Sequence, residues 1–247
     1  MRAIVRVRAR NDVQRARGAS LRRGFTLIDV LVSLAVIAVL IGLMLPALTA
    51  IRETGRKVVC SSNIRQIGLS TAMYADDYRG QLPYSVSYDK SIDGPGFEPQ
   101  FLMMARWGGP ANRWDGLGLL FGKQYCSAGQ VFYCPSHKSH HRYETYAAGW
   151  NGNPIDVYTN FQYRGGTSNK VANLNKMPDR ISLVADGMAS GFDFNHAVGG
   201  NVVASDLSVA WFDNTSNALQ LPQGYDDPYA KDKLQGAWNA IDNALFK

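Results

Sequence analysis

Arg22-Arg23-Gly24-Phe25-Thr26-Leu27-Ile28-Asp29-Val30, running on through LVSLAVIAVLIGLML to Pro46, is the stretch that decides how this chain is read. Of the 21 residues from Phe25 to Leu45, only Thr26, Asp29 and Ser33 are polar or charged. As a helix rising 1.5 Å per residue the run reaches about 31 Å, the thickness of a bilayer's hydrocarbon core. A single membrane span is therefore expected, and any function must be compatible with that anchor.

Charge supports the same topology. Residues 1–24 carry eight arginines against one acid, Asp12, whereas the whole chain is +6, so residues 25–247 are close to neutral. The basic balance belongs to the leader, and the remainder has no positive field to attract nucleic acid. A positive flank ahead of one span places the leader in the cytoplasm and residues 46–247 outside. A secretory signal peptide fits less well. The apolar run exceeds the usual 7–15-residue h-region, and no A-x-A-like exit follows it. Asp29 also needs a reason, because an acid at the centre of a span costs on the order of 3 kcal/mol.

Basic flank, glycine, aromatic, acid and spanning run, at this spacing, resemble the processing site of type IV prepilins and type II secretion pseudopilins. The resemblance implies that a membrane-embedded prepilin peptidase cuts after Gly24 and methylates the new amino-terminal Phe25. It also implies that the apolar helix packs with its copies into a filament core, with Pro46 at a position where many members carry a helix-bending proline. Asp29 departs from the family's usual glutamate at the fifth mature residue. That acid is thought to pair with a new terminal amine, and an ammonium and a carboxylate in low dielectric are tolerable only together.

Beyond the span the helix is expected to continue. Cys60, Ile64, Ile67, Thr71, Tyr74 and Tyr78 alternate steps of four and three, which gives one buried stripe. Gly80 at a left-handed cap and Pro83 make the stop. The stretch from Cys60 to Pro83, the segment Phe132-Tyr133-Cys134-Pro135-Ser136 and the span from Asn195-His196 to Asp206 also resemble major-pseudopilin-like proteins. In those proteins a glycine usually follows the aspartate in a hairpin turn. Leu207 stands there instead, so another turn type is expected.

Residues 84–247 read as one α+β domain, loop-rich over 84–118 with Gly94-Pro95-Gly96 and Gly108-Gly109-Pro110 as punctuation. Short strands are expected at 130–133, 144–149, 181–185, 200–205 and 208–212, in an antiparallel sheet. Asp227-Pro228 reads as the start of a terminal helix that buries Leu234, Trp238, Ile241 and Leu245. The expected organisation is thus a cleaved basic leader (1–24), a transmembrane or filament-core helix (25–45), its exterior continuation (46–83) and a globular α+β domain (84–247). This is a pilin-like architecture.

Cys60, Cys126 and Cys134 would face an oxidising exterior, where a Cys126–Cys134 bridge closing a short loop and a Cys60–Cys134 bridge are both legal. Cys134, His137, His140 and His141, with Cys126, are the right atoms for zinc but lack a second well-spaced pair, so a solvated loop is expected. Asp186, Asp193 and Asp206 could meet calcium, but match no EF-type spacing. No metal ligand or cofactor is assigned. His196 and Asp206 are expected to bracket a hairpin rather than form an acid/base pair, and no catalytic motif occurs.

The sequence therefore implies a non-enzymatic structural subunit: Gly24 and Phe25 for processing, and Phe25, Asp29 and Pro46 for assembly into a pseudopilus or type IV pilus-like filament. Its expected partners are prepilin peptidase, copies of itself or other pseudopilins, an inner-membrane assembly platform and membrane lipid. Its expected place is the bacterial inner membrane, crossed once. The alternative is a membrane-anchored exterior binding module that never polymerises.

Overall fold

The computed structural model describes residues 24–85, 103–110, 112–165, 172–177, 180–191, 193–196, 198–224 and 227–246. Nearly all of the basic leader and the Gly94-Pro95-Gly96 segment lie outside them. The chain divides into two compact units, Met1–Leu48 and Thr49–Lys247. Helix α1, Leu27–Asp77, runs through both and is continuous across Pro46.

In the first unit, every described residue from Gly24 to Leu48 is exposed. The apolar residues occupy all sides of the helix, a pattern that water does not favour and that lipid or neighbouring apolar helices do.

The second unit is built on the rest of α1. Cys60, Ile64, Ile67, Thr71 and Tyr74 are buried and Tyr78 packs at the margin, which is the expected stripe. The stripe lies against an antiparallel meander of four strands in the order β4 (Phe161–Tyr163), β5 (Ser182–Asp186), β6 (Gly199–Ala204) and β7 (Val209–Asp213). Gly68 lets the helix come close: a Cβ there would stand 2.7 Å from Val203 Cγ2. Helix α1 then ends one residue earlier than Gly80 alone implies. Arg79 takes the left-handed conformation first (φ 57°), and Gly80 N donates back to Ala75 O, a Schellman closure.

Neighbouring residues of the central strands serve opposite faces, as strand geometry requires. Val184 and Val203 join the core containing α1, while Ala185 and Val202 join a second core with Leu234, Ala237, Trp238 and Ile241. Those four belong to the terminal helix, Ala230–Leu245, and Asp242 pins it by accepting from Ser182 N at 2.8 Å. With both faces covered, β5 and β6 are buried at every residue. The terminal helix starts later than expected. Tyr229 is its N-cap, and Asp227 instead accepts from Tyr229 N (2.9 Å) and from Lys233 Nζ (2.7 Å).

A second sheet, in the order β2-β1-β3, combines β1 (Met104–Trp107), β2 (Arg113–Trp114) and β3 (Val157–Tyr158). It falls partly in a region expected to be only loop. Two expected strands are helical instead. Residues 129–132 close as a 3₁₀ turn through Val131 N to Ala128 O, and Tyr143–Trp150 is a helix. Its Tyr-Glu-Thr-Tyr start mimics strand alternation, but Gly149 fits where a Cβ would meet Val157 Cγ2 at 2.4 Å.

The β6–β7 turn keeps the positive φ that glycine normally supplies. Leu207 N donates to Ala204 O, Ala204 N donates to Ser208 O, and Leu207 itself sits at φ 65°. The substitution has thus not changed the turn's demand, contrary to expectation. A leucine there bears about 1 kcal/mol of backbone strain. Leu207→Gly is expected to raise stability by about that amount, read as a higher denaturant midpoint at unchanged m-value.

Candidate functional site

Two places carry the residues of interest. The first is the entry into α1, where Gly24, Phe25 and Thr26 precede the helix. Thr26 N donates to Asp29 Oδ2 at 3.0 Å, and Asp29 N donates to Thr26 Oγ1 at 3.3 Å. This is a capping box with aspartate in the glutamate place. Phe25 is 79% exposed, and a Cβ on Gly24 would meet nothing within 4 Å. Among the described residues, nothing crowds position 24.

The second place is inside the second unit. Glu53 and Cys60, seven residues apart on α1, share one helix face. Opposite them stand Cys134, after the 3₁₀ turn, Asp186 at the end of β5, and His196 before β6. Cys60 Sγ donates to Asp186 Oδ1 at 3.1 Å, and Cys134 Sγ lies 3.3 Å from His196 Nε2. His196 Nδ1 lies 2.7 Å from Glu53 Oε1, and Ser136 Oγ donates to the same carboxylate at 2.9 Å. Asn195 Nδ2 and Asn201 N donate to the two oxygens of Asp186 at 2.8 and 2.6 Å. One candidate ligand atom from each of Cys60, Cys134, Asp186 and His196 lies within 4.8 Å of every other.

Electrostatics follow from that crowding. Burial, together with Cys134 and Asp186, pushes the Cys60 thiol well up. Burial also opposes the Cys134 thiolate, yet hydrogen bonds from Cys60 and His196 outweigh it and bring that thiol below its ordinary value. His196 loses solvation on burial, but Cys134, Asp186 and Glu53 push it up to about 9. Burial raises Asp186 despite its donors. The shifts move Cys134 toward the thiolate and His196 toward the imidazolium.

Asn195 joins this group to a neighbour. Because its Nδ2 donates to Asp186, its Oδ1 faces His137 Nδ1 at 2.7 Å, which places the His137 proton on that nitrogen. His137 Nε2 is then buried without a hydrogen-bond partner among the described residues, 3.9 Å from Asp193 Oδ1, and His141 Nδ1 approaches the same oxygen at 3.1 Å. A groove of about 800 Å³ opens beside both groups, lined among others by Cys134, Ser136, His137, Arg56, Lys138 and Arg142.

Thiol, imidazole and carboxylate in hydrogen-bonded series is also the layout of an activated nucleophile. Two observations weigh against that chemistry. Cys134 is 3% exposed, and its backbone N–H, a natural oxyanion donor, is held by Asn160 Oδ1 at 2.6 Å. A set of soft and hard ligands in a closed space suits a cation better.

The sequence located several of these residues without their partners. His196 does not face Asp206, which pairs with Arg180 at 2.9 Å and closes the hairpin with Ser208. The 134–141 segment is not a solvated loop, since Cys134, His137 and His141 are buried; His140 alone of its histidines is exposed. All three cysteines are free, and Cys134 faces Cys60, while Cys126 contacts Ala128 O at 3.7 Å. Glu53 had no sequence signal beyond its seven-residue offset from Cys60.

Comparison with protein families identifies two segments. Residues 20–45 match the prokaryotic N-terminal methylation motif, and residues 49–99 match the family described as "Protein of unknown function (DUF1559)". Comparison with curated proteins and with solved structures returned no match. The methylation motif implies processing by prepilin peptidase. Among the described residues, α1 alone is long and apolar enough to cross a membrane. Motif, apolar helix and helix-on-sheet domain together make this chain a membrane-anchored, exported type IV pilin-like protein, in which an N-terminal methylation motif leads into a DUF1559 segment.

Proposed function

We propose that the chain is a structural subunit, cut after Gly24 and assembled through the helix beginning at Phe25 into a type IV pilus-like filament or a type II secretion pseudopilus. The observation that carries this reading is the helix of the first unit, apolar on every side and wholly exposed, most of which lies within the methylation-motif match over residues 20–45. Such a surface is stable in lipid before assembly and against copies of itself afterwards, so the inner membrane is the reservoir and the filament the product. Cleavage frees an amine four residues before Asp29. In the uncut chain Asp29 is occupied with Thr26; after cutting, the same carboxylate can neutralise an amine buried among packed helices.

Asp29→Ala is expected to lower the yield of sheared filaments more than about tenfold, because it leaves one charge unpaired in low dielectric. Cleavage and surface display stay unchanged. The measurement is the ratio of filament-bound to membrane-bound subunit. The open groove beside Cys134 favours a second reading, a tethered module that binds an exterior ligand without polymerising. Under that reading the Asp29 variant leaves the ratio unaltered.

A further inference from the structure

We propose that Cys60, Cys134, Asp186 and His196 form a structural site for a thiophilic divalent cation, zinc in the first instance, which clasps the outer part of α1 to the sheet. The argument starts from distances. Zinc bonds of about 2.0–2.3 Å arranged tetrahedrally set ligand atoms roughly 3.3–3.8 Å apart. With Asp186 Oδ1 as its ligand atom, two edges already lie near that span, Cys60 Sγ to Asp186 Oδ1 at 3.1 Å and Cys134 Sγ to His196 Nε2 at 3.3 Å, and His196 Nε2 stands 3.8 Å from the other Asp186 oxygen, Oδ2. All four atoms fall within 4.8 Å of one another, so modest contraction completes the shell.

Ligand chemistry selects the ion. Two sulfurs and an imidazole are too soft a set for calcium or magnesium, and four ligands without an open position match a structural rather than a catalytic zinc. All four residues are at least 97% buried, which suits a closed four-ligand site.

The outer layer is already built. A metal-bound histidine usually donates its far N–H to a carboxylate, and His196 Nδ1 lies 2.7 Å from Glu53, itself held by Ser136. Asn195 and Asn201 hold Asp186 in the same way. On binding, the Cys60 proton and the proton shared by Cys134 and His196 leave to solvent. The cation then meets two thiolates, a neutral imidazole and a carboxylate. Cys134 reaches the groove, which gives the ion a route in. Glu53 and Cys60 both come from α1, so binding energy would become adhesion of that helix to β5 and β6.

The test uses the full-length chain in detergent, purified without chelators. Elemental analysis is expected to find one zinc per chain. Replacement by cobalt(II) should give tetrahedral d–d bands with thiolate-to-cobalt charge transfer. Cys60→Ser and Cys134→Ser each lose part of the charge transfer and the double variant all of it, whereas Cys126→Ser keeps the full spectrum. Glu53→Gln, which leaves every ligand in place, should weaken zinc binding about 10–100-fold while preserving the cobalt spectrum. Bound zinc should also shield Cys60 and Cys134, but not Cys126, from alkylation. The proposal is overturned if the chain fails to retain zinc after loading, if cobalt binds without thiolate bands, or if the native mass lacks two hydrogens because Cys60 and Cys134 are joined as a disulfide.

Discussion

Trp150→Ala is expected to destabilise the second unit by about 4 kcal/mol, the scale of a buried tryptophan truncated to alanine. Trp150 is 4% exposed and lies between four other aromatic rings. It stacks on Phe132 (centroids 5.0 Å apart) and on Trp114 (5.3 Å), and meets Phe121 (4.9 Å) and Tyr133 (6.2 Å) edge-on. Its Nε1–H donates to Tyr133 OH at 2.9 Å, and that hydroxyl donates to Tyr158 O at 2.7 Å. Removing the indole therefore opens a cavity and breaks a relay that ties Tyr143–Trp150 to β3. Trp150→Phe keeps much of the packing and forfeits the hydrogen bond, at roughly 1–3 kcal/mol. Denaturant melts of both variants measure this, and a loss under 1 kcal/mol for the alanine variant would refute the packing described.

Gly24→Val is expected to leave the whole population uncut, an all-or-none effect on maturation with little effect on the fold. The contrast is informative because a Cβ added at 24 has no neighbour within 4 Å among the described residues. A stable, membrane-inserted precursor that prepilin peptidase does not shorten is the expected product. If Gly24→Val were processed as efficiently as the parent, the cut would have to lie elsewhere.

Much of the fold was legible because its signals are local. The α1 stripe, strands β5 to β7 and the Leu234–Trp238–Ile241 face all announce themselves by period and register within a few residues. Segments decided by distant packing were not. Gln130–Tyr133 has the composition of a strand, yet Phe132 is turned onto Trp150, which favours a 3₁₀ turn. Tyr143–Trp150 alternates at its start, but its glycine and tryptophan are claimed by the neighbouring strand and the aromatic cluster.

The processing segment needs no long-range partner and could be read directly. The buried polar group could not. Cys60 meets Asp186 across 126 residues of chain, and Glu53 meets His196 across 143. No spacing rule spans such separations, and Cys60 in a helical stripe is indistinguishable from an ordinary buried apolar residue. Its partner shows only when the meander brings β5 under the helix.

The most direct test of the account is the intact mass and N-terminal sequence of the membrane-extracted protein, produced with and without a prepilin peptidase. The account predicts a mature chain beginning at N-methylated Phe25 when the peptidase is present, and the full basic leader when it is absent. A leader retained in both cases, or a mature start downstream of Leu45, would contradict it.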